Sequence, residues 1–367
     1  MYIHERNEWP RFNWDQAKLA GLLAEVRHRQ GRMLGRMEGL GFRLRGEATL
    51  TTLTQDVMKT SEIEGEKLDP EQVRSSIAKR LGMDVGGALR IGRNVEGIVE
   101  VMLDATRNYD APLSKKRLFD WHAALFPTGR SGMQNIVVGD WRTASSGPMQ
   151  VVSGPLGREK VHYEAPAAER LDEEMTTFIN WFNAPPETDL VVKSALAHFW
   201  FVTIHPFEDG NGRVARALGD LLLARAEKSA QRFYSLSAQI QKERNDYYDI
   251  LEKTQKGSLD LTPWIEWYLN CLQRAIAASE QTLEAVLTKA RFWEAQAGQS
   301  FNERQREVIN RLLDGFEGKL TSSKWAKVTK CSQDTALRDI SDLLDRQILA
   351  KDEAGGRSTS YRLRLPK

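Results

Sequence analysis

One stretch of twelve residues concentrates the side chains able to do chemistry: His205-Pro206-Phe207-Glu208-Asp209-Gly210-Asn211-Gly212-Arg213-Val214-Ala215-Arg216. It follows a strongly apolar segment, 189–204, whose pattern predicts a helix, and it leads into a second predicted helix over 212–226. His205 would therefore end one helix, and a Gly-Asn-Gly turn would open the next. Amides at a helix start lack partners within the helix, and the helix dipole there favours an anion. Gly210 and Gly212 let the backbone approach a phosphate closely. Arg213 and Arg216, three residues apart, share a helix face and can grip phosphate oxygens in pairs. Asp209 is a hard oxygen ligand suited to Mg²⁺ held between a carboxylate and nucleotide phosphates. His205 is the group in this set that accepts a proton near neutral pH. Acid, base, anion cradle and cationic clamp together point to phosphoryl or nucleotidyl transfer.

The elements that must position this string are mostly helical. Spacing of three and four between Leu19, Leu22, Leu23 and Val26 predicts a helix over 15–37, weakened or ended by Gly31, Gly35, Gly39 and Gly41. Another is predicted over 47–64, with Leu50, Leu53, Val57 and Met58 on one face and Gly65 at its C-cap. Further helices are predicted over 69–78, 89–106, 114–125, 167–183, 245–256 and 263–295. Between 128 and 165 the chain is rich in Gly, Ser and Pro, with short β-branched runs at Asn135–Val138, Val151–Ser153 and Val161–Tyr163. The last two, around Gly154-Pro155-Leu156-Gly157, predict a hairpin, the one convincing β signal in the first 300 residues. From about 299 the order is helix (301–313), short helix (321–328), turn, helix (332–349) and a strand-like Ser360–Leu363, the order of a winged helix-turn-helix. Leu337, Ile340, Leu343 and Leu344 are expected to face its core.

Bulk properties narrow the classes without choosing among them. The 367 residues suffice for two or three domains, and 41% hydrophobic with 28% charged content excludes a disordered or fibrous chain. No apolar run reaches the ~18 residues of a membrane span, and the charged N-terminus is not a secretory signal. Cys271 and Cys331 make neither a disulfide framework nor a metal-ligand pair, so a cytoplasmic location is expected. A net charge of +2 does not demand nucleic acid.

The string matches the signature HPFx[DE]GNGRxxR of the Fic (filamentation induced by cAMP) family at every specified position, and the chain resembles that family over about 90–260. The resemblance implies a mostly α fold: a Fic-type helical core with one β-hairpin flap, here joined to an N-terminal helical domain and a C-terminal winged helix (α+β). It implies transfer of AMP from ATP, with Mg²⁺, to a hydroxyl side chain of a target protein, releasing pyrophosphate. By position, His205 would be the base and Asp209 would hold the metal. Gly210, Asn211 and Gly212 would form the anion hole, and Arg213 and Arg216 would hold the β- and γ-phosphates. Asn245, Tyr247 and Tyr248 fall where related proteins line the adenine pocket, although tyrosines at helical spacing also serve as core packing. The flap, through Val151, Val152, Val161 and His162, would dock a target segment by strand pairing.

Thr60-Ser61-Glu62-Ile63-Glu64-Gly65 matches the family's inhibitory motif [ST]xxxE[GN]. Thr60 and Glu64 stack on one helix face. A Glu64 carboxylate on Arg216 would take the group meant for the γ-phosphate and misplace ATP for in-line attack. The competing account makes Glu62, Glu64 and Glu66 a solvated acidic helix end. In relatives the same glutamate can also orient water for AMP removal.

The domain limits expected are 1–88 (with the inhibitory helix at about 47–65), 89–260, a connecting helix at 261–298, and 299–367. From Thr321 onward ten Lys/Arg face six Asp/Glu. Gln333 and Arg338 could read base edges of duplex DNA and Arg357 could reach a groove, whereas Asp334, Asp339, Asp342 and Asp345 would repel phosphates if outward. Protein docking or oligomerisation, a homodimer included, is the other use of this module. Two further readings share the cradle: a nucleotide-sensing transcriptional regulator, and an enzyme that hydrolyses phosphate esters or uses another donor such as phosphocholine.

Overall fold

A computed structural model describes residues 1–83, 90–154, 158–316, 318–352 and 359–365. Arg357, most of the Gly-Pro turn and the boundary near 88 lie outside the described residues. The chain divides into two compact units, Met1–Glu280 and Gln281–Lys367. The N-terminal helices therefore belong to the same unit as the region around the motif.

In the first unit α1 (Gln16–Glu38) and α2 (Phe42–Ile63) are followed by α3 (Pro70–Arg80), α4 (Arg93–Arg107) and α5 (Lys115–Leu125). Two short antiparallel ladders come next. The first pairs β1 (Arg130–Ser131) with β2 (Gln134–Asn135), and the second pairs β3 (Gln150–Ser153) with β4 (Lys160–Glu164). Then come α6 (Leu171–Asn183), α7 (Leu190–Ile204), α8 (Asn211–Glu227), α9 (Leu236–Lys242), α10 (Arg244–Gln255) and α11 (Thr262–Ala295), whose last residues enter the second unit. There α12 (Glu303–Leu313), α13 (Ser322–Val328) and α14 (Gln333–Asp345) precede the antiparallel pair β5 (Leu349–Lys351) and β6 (Tyr361–Leu363).

The first unit is organised around α7, buried at every position from Val191 to Ile204. A helix that is apolar all round has no solvent face to present, so it must run through a core. Its main neighbour is α8, where Gly219 lets the backbones come close and its carbonyl accepts from the Ser194 hydroxyl of α7 at 3.0 Å. Close approach also fixes Gly97 on α4, where an added Cβ would fall 1.8 Å from the Ala124 carbonyl oxygen. Helix α2 packs on α3, α8 and α9 with Leu50, Leu53 and Val57 inward. Asp56 on the same helix accepts a hydrogen bond from Ser235 at the start of α9.

Several expectations are corrected. Helix α1 agrees with the helix expected over 15–37: it is not broken at Gly31 or Gly35, because burial of Gln30, Met33 and Met37 outweighs about 1 kcal/mol of propensity per glycine. Helix α2 starts five residues earlier than its apolar pattern suggested, at Phe42. A second β ladder exists at β1–β2, too short to leave an alternation, and Ile136–Val138 form no strand. Helix α14 stops at Asp345 and Leu349 belongs to β5. Leu337 is 45% exposed, so it does not face the core of the second unit, which gathers Phe292, Ile309, Trp325, Ile340 and Leu343. Asp339 faces inward, where Asn302 and Arg304 donate to its carboxylate. Among the described residues no helix is long and apolar enough to cross a membrane.

Candidate active site

His205 caps α7 in a left-handed conformation (φ 52°, ψ 57°) that turns the chain into the loop before α8. Arg142 holds this corner. Its Nε donates to the His205 carbonyl at 2.8 Å, its amide to the Pro206 carbonyl at 2.9 Å, and its Nη2 to the Pro166 carbonyl. The imidazole Nδ1 lies 3.1 Å from the Val202 carbonyl oxygen, which can only accept, so Nδ1 carries the proton and Nε2 is the free acceptor. Burial holds the imidazole below its ordinary pKa, against the contact with Val202, which raises it.

The loop is pinned from inside. Asn211 Oδ1 accepts from the Phe207 amide at 3.0 Å, and its Nδ2 donates to the Phe207 carbonyl at 2.8 Å. Its side chain is thus consumed by the loop, leaving only its amide for an anion hole. Asn211→Ala removes both bonds from a residue 2% exposed and is expected to cost about 2 kcal/mol in urea unfolding, with an unchanged midpoint contradicting the assignment. His122 lies flat on Phe207 at 4.0 Å. Its Nε2 donates to the Asp209 carbonyl at 3.1 Å and its Nδ1 accepts from the Gly139 amide. Gly210 has φ 82°, and a Cβ there would meet the Phe126 ring at 2.8 Å, so this position requires glycine.

Burial depresses His122 to about 4, His4 to about 4 and His198 to about 3. Each lies below the ordinary 6.5, so the unfolded chain binds protons more readily. The stability they contribute is complete above pH 6.5 and is lost as pH falls toward 4. For His122 alone the loss is about 3 kcal/mol. Urea unfolding should shift to lower denaturant as the buffer is acidified over that window, and a midpoint that rises would contradict this.

Three charged side chains meet at the start of α8. Asp209 accepts from the Gly210 amide at 2.6 Å and from the Ser131 hydroxyl, and lies 4.0 Å from Arg213 Nη2. Arg213 stacks over Phe126 at 4.9 Å and pairs with Glu66 at 3.1 Å, while its buried Nε has no hydrogen-bond partner. Arg216, 3% exposed, donates to the Thr60 hydroxyl (2.7 Å), the Thr60 carbonyl (2.9 Å) and Glu64 Oε1 (2.7 Å). A Cβ on Gly212 would fall 2.2 Å from that same Glu64 oxygen. The carboxylate therefore lies against the α8 N-terminus, where the physics of that terminus places an anion. Gly65, at φ 84°, ends α2 just beyond it, and Arg244 Nε ties the Ile63 carbonyl from α10 at 3.0 Å.

The remaining predicted residues are placed around this centre. Tyr247 is 2% exposed, packed on Trp264 and Trp267 with its hydroxyl 2.9 Å from His198 Nε2, so its ring belongs to the core. That leaves Asn245, which is exposed, and Tyr248, which stacks under Arg244, as the members of the trio with accessible surface. On the hairpin, Val151 pairs with Tyr163 and Val152 with Val161 across a register shift, and Val152 and Val161 are exposed. His162 bridges Ser153 (2.6 Å) and Glu252 on α10 (2.5 Å). Sequence reasoning missed Arg142, His122 and Ser131, which come from a Gly/Ser/Pro-rich region and a separate helix and carry no local signal.

Residues 112–223 match the model of the Fic/DOC family. The chain carries a Fic/DOC domain. Residues 2–83, which include Thr60 and Glu64, match a domain of unknown function, DUF4172. The chain is 37% identical over 115 residues to the protein adenylyltransferase Fic of Nematostella vectensis, covering 31% of this chain and 25% of that one. It is 28% identical over 230 residues to that of Culex quinquefasciatus, covering 60% and 40%. It thus spans well under half the length of these curated relatives. A Fic family protein from Desulfovibrio desulfuricans G20 shares the fold with TM-score 0.56 at 24% identity, over 97% of this chain and 98% of that one. A Fic-domain protein from Bacteroides thetaiotaomicron VPI-5482 aligns with TM-score 0.51 at 18% identity, over 72% and 97%. The mostly helical architecture is that of these Fic-family neighbours.

Proposed function

We propose that the Fic domain transfers AMP from ATP to a hydroxyl side chain of a target protein, and that Glu64 holds it inactive. The observation that supports this most is the anion already bound in place: a carboxylate lies against Gly212 and on Arg216, where a nucleotide phosphate would sit. His205 Nε2, the free acceptor, takes the proton of the target hydroxyl. The hydroxyl oxygen bonds to the α-phosphorus, the bond from that phosphorus to the bridging oxygen breaks, and pyrophosphate leaves. Arg213 and Arg216 hold the β- and γ-phosphates, and the amides of Asn211 and Gly212 at the start of α8 face the charge that builds at the transferring group, while the Gly210 amide holds Asp209.

Mg²⁺ fits this donor set, since one carboxylate beside phosphate oxygens is its usual protein share. Asp209, held by the Ser131 hydroxyl and the Gly210 amide, would carry it, and the ion would supply neutralisation of phosphate charge. Asn245 and Tyr248 offer the surface for adenine, and the β3–β4 hairpin, with Val152 and Val161 outward, offers a strand edge to the target. Asp334, Asp342 and Asp345 line the exposed side of α14 beside Arg338. That row of acids opposes duplex DNA as the partner of the C-terminal unit.

The test is retention of label on protein. Glu64→Gly, incubated with α-labelled ATP, Mg²⁺ and a cell lysate, should leave covalent label on protein. Measurable ATP binding without any protein-bound label would overturn the reading.

A further inference from the structure

Beyond the residues that hold ATP in this reading, a cavity of about 730 Å³ opens beside Asp209 and Arg213. Its lining includes Arg93, the first residue of α4, and Arg130 of β1, both exposed and neither part of the motif; Arg130 Nε donates to Asn135, which leaves its terminal nitrogens for a ligand. The lining also includes Arg213, 6% exposed, whose buried Nε is without a partner. A buried donor left unpaired calls for an explanation, and beside an open cavity an absent anion supplies one. Three guanidinium groups around one cavity, one of them with an unpaired Nε–H, suit a dense phosphate anion.

Glu66 stands in the way of that anion. Its Oε2 lies 3.1 Å from Arg213 Nη1, and its Oε1 accepts from Asn94 Nδ2 at 3.2 Å. The residue is set apart from Glu64 by the left-handed Gly65, so one turn of chain directs two carboxylates to two arginines, Glu64 to Arg216 and Glu66 to Arg213. As the end of a solvated acidic run Glu66 would have no such partner.

We propose that Arg93, Arg130 and Arg213 form a diphosphate-binding chamber that receives the leaving pyrophosphate, with Glu66 as a competing latch on Arg213. The proposal rests on the AMP-transfer reading for its biological ligand. Its binding prediction does not need transfer to occur.

The test is calorimetric titration of inorganic pyrophosphate with Mg²⁺ into the full chain carrying Glu64→Gly, with AMP titrated in parallel. Adding Arg93→Gln and Arg130→Gln should weaken pyrophosphate about tenfold, the size of one charge-assisted hydrogen bond, and leave AMP unchanged. Adding Glu66→Gln should tighten pyrophosphate by a similar factor, whereas Glu71→Gln, which removes the same charge outside the cavity, should not. The proposal is overturned if the two arginine substitutions leave pyrophosphate affinity intact. It is equally overturned if they weaken AMP and pyrophosphate alike, or if Glu66→Gln and Glu71→Gln act the same. Absence of protein-bound label from α-labelled ATP alongside the expected titrations would remove AMP transfer and keep the chamber.

Discussion

Glu64→Gly should raise AMP transfer about 10- to 100-fold over the unmodified chain, measured as the initial rate of protein-bound label from α-labelled ATP. The figure follows from the contact removed. Glu64 Oε1 accepts a hydrogen bond from Arg216 Nη2 at 2.7 Å, a charge-assisted bond to a residue 3% exposed. Such a bond is worth about 1.5–3 kcal/mol, and ATP must now displace it before Arg216 can hold a phosphate. The substitution also removes the oxygen that crowds Gly212. Glycine at the end of α2 costs about 1 kcal/mol at most, so the fold should persist. Arg216 keeps Thr60 but loses its counter-charge, so the variant should melt lower without nucleotide and recover when ATP and Mg²⁺ are added. A rate no higher than that of the unmodified chain would show that Glu64 is no brake.

His205→Asn in the Glu64→Gly background should lower transfer by about 10²- to 10⁴-fold, the usual contribution of a positioned general base, while ATP affinity is unchanged. Asparagine is preferred to alanine here because the position is left-handed, which asparagine tolerates. The pH profile adds a second check. Burial lowers the imidazole pKa, so the base form persists as pH falls below the ordinary histidine value, and transfer should decline only beneath it. Retained transfer in the asparagine variant would remove His205 as the base, whatever the effect of Glu64.

The site was legible to very different depths. The string from His205 to Arg216 could be read because its geometry is local: one helix end, one turn and one helix start place every member within two turns of backbone. Glu64 could be read only through a motif, since nothing in residues 60–65 says that α2 lies across α8. That contact depends on α2 packing against α8 and α9 and on Asp56 meeting Ser235, a separation of 179 residues. Arg142, His122 and Ser131 were invisible for the same reason. Each acts through a backbone carbonyl or a single carboxylate brought near by folding, and a lone arginine in a Gly-rich loop has no spacing to betray it.

The fold shows the same division. Helix α7 was evident because ten of its fourteen consecutive buried positions are apolar, a density that leaves no polar stripe. Helix α9, seven residues with polar Gln239, Gln241 and Lys242 mixed among apolar neighbours, left none. The reversal of Asp339 follows from Arg304 and Asn302, which sit on a different helix and its cap. Tyr247 illustrates an ambiguity that pattern cannot resolve: an aromatic on a helix face serves a core and a ligand equally well until its neighbours, here Trp264, Trp267 and His198, are known.

The most direct test of AMP transfer compares two positions of label in one donor. Glu64→Gly, with Mg²⁺ and a lysate, should place label on protein from α-labelled ATP and none from γ-labelled ATP, and the α signal should vanish when His205→Asn is added. Label from the γ position, or α label that survives loss of His205, would contradict the account.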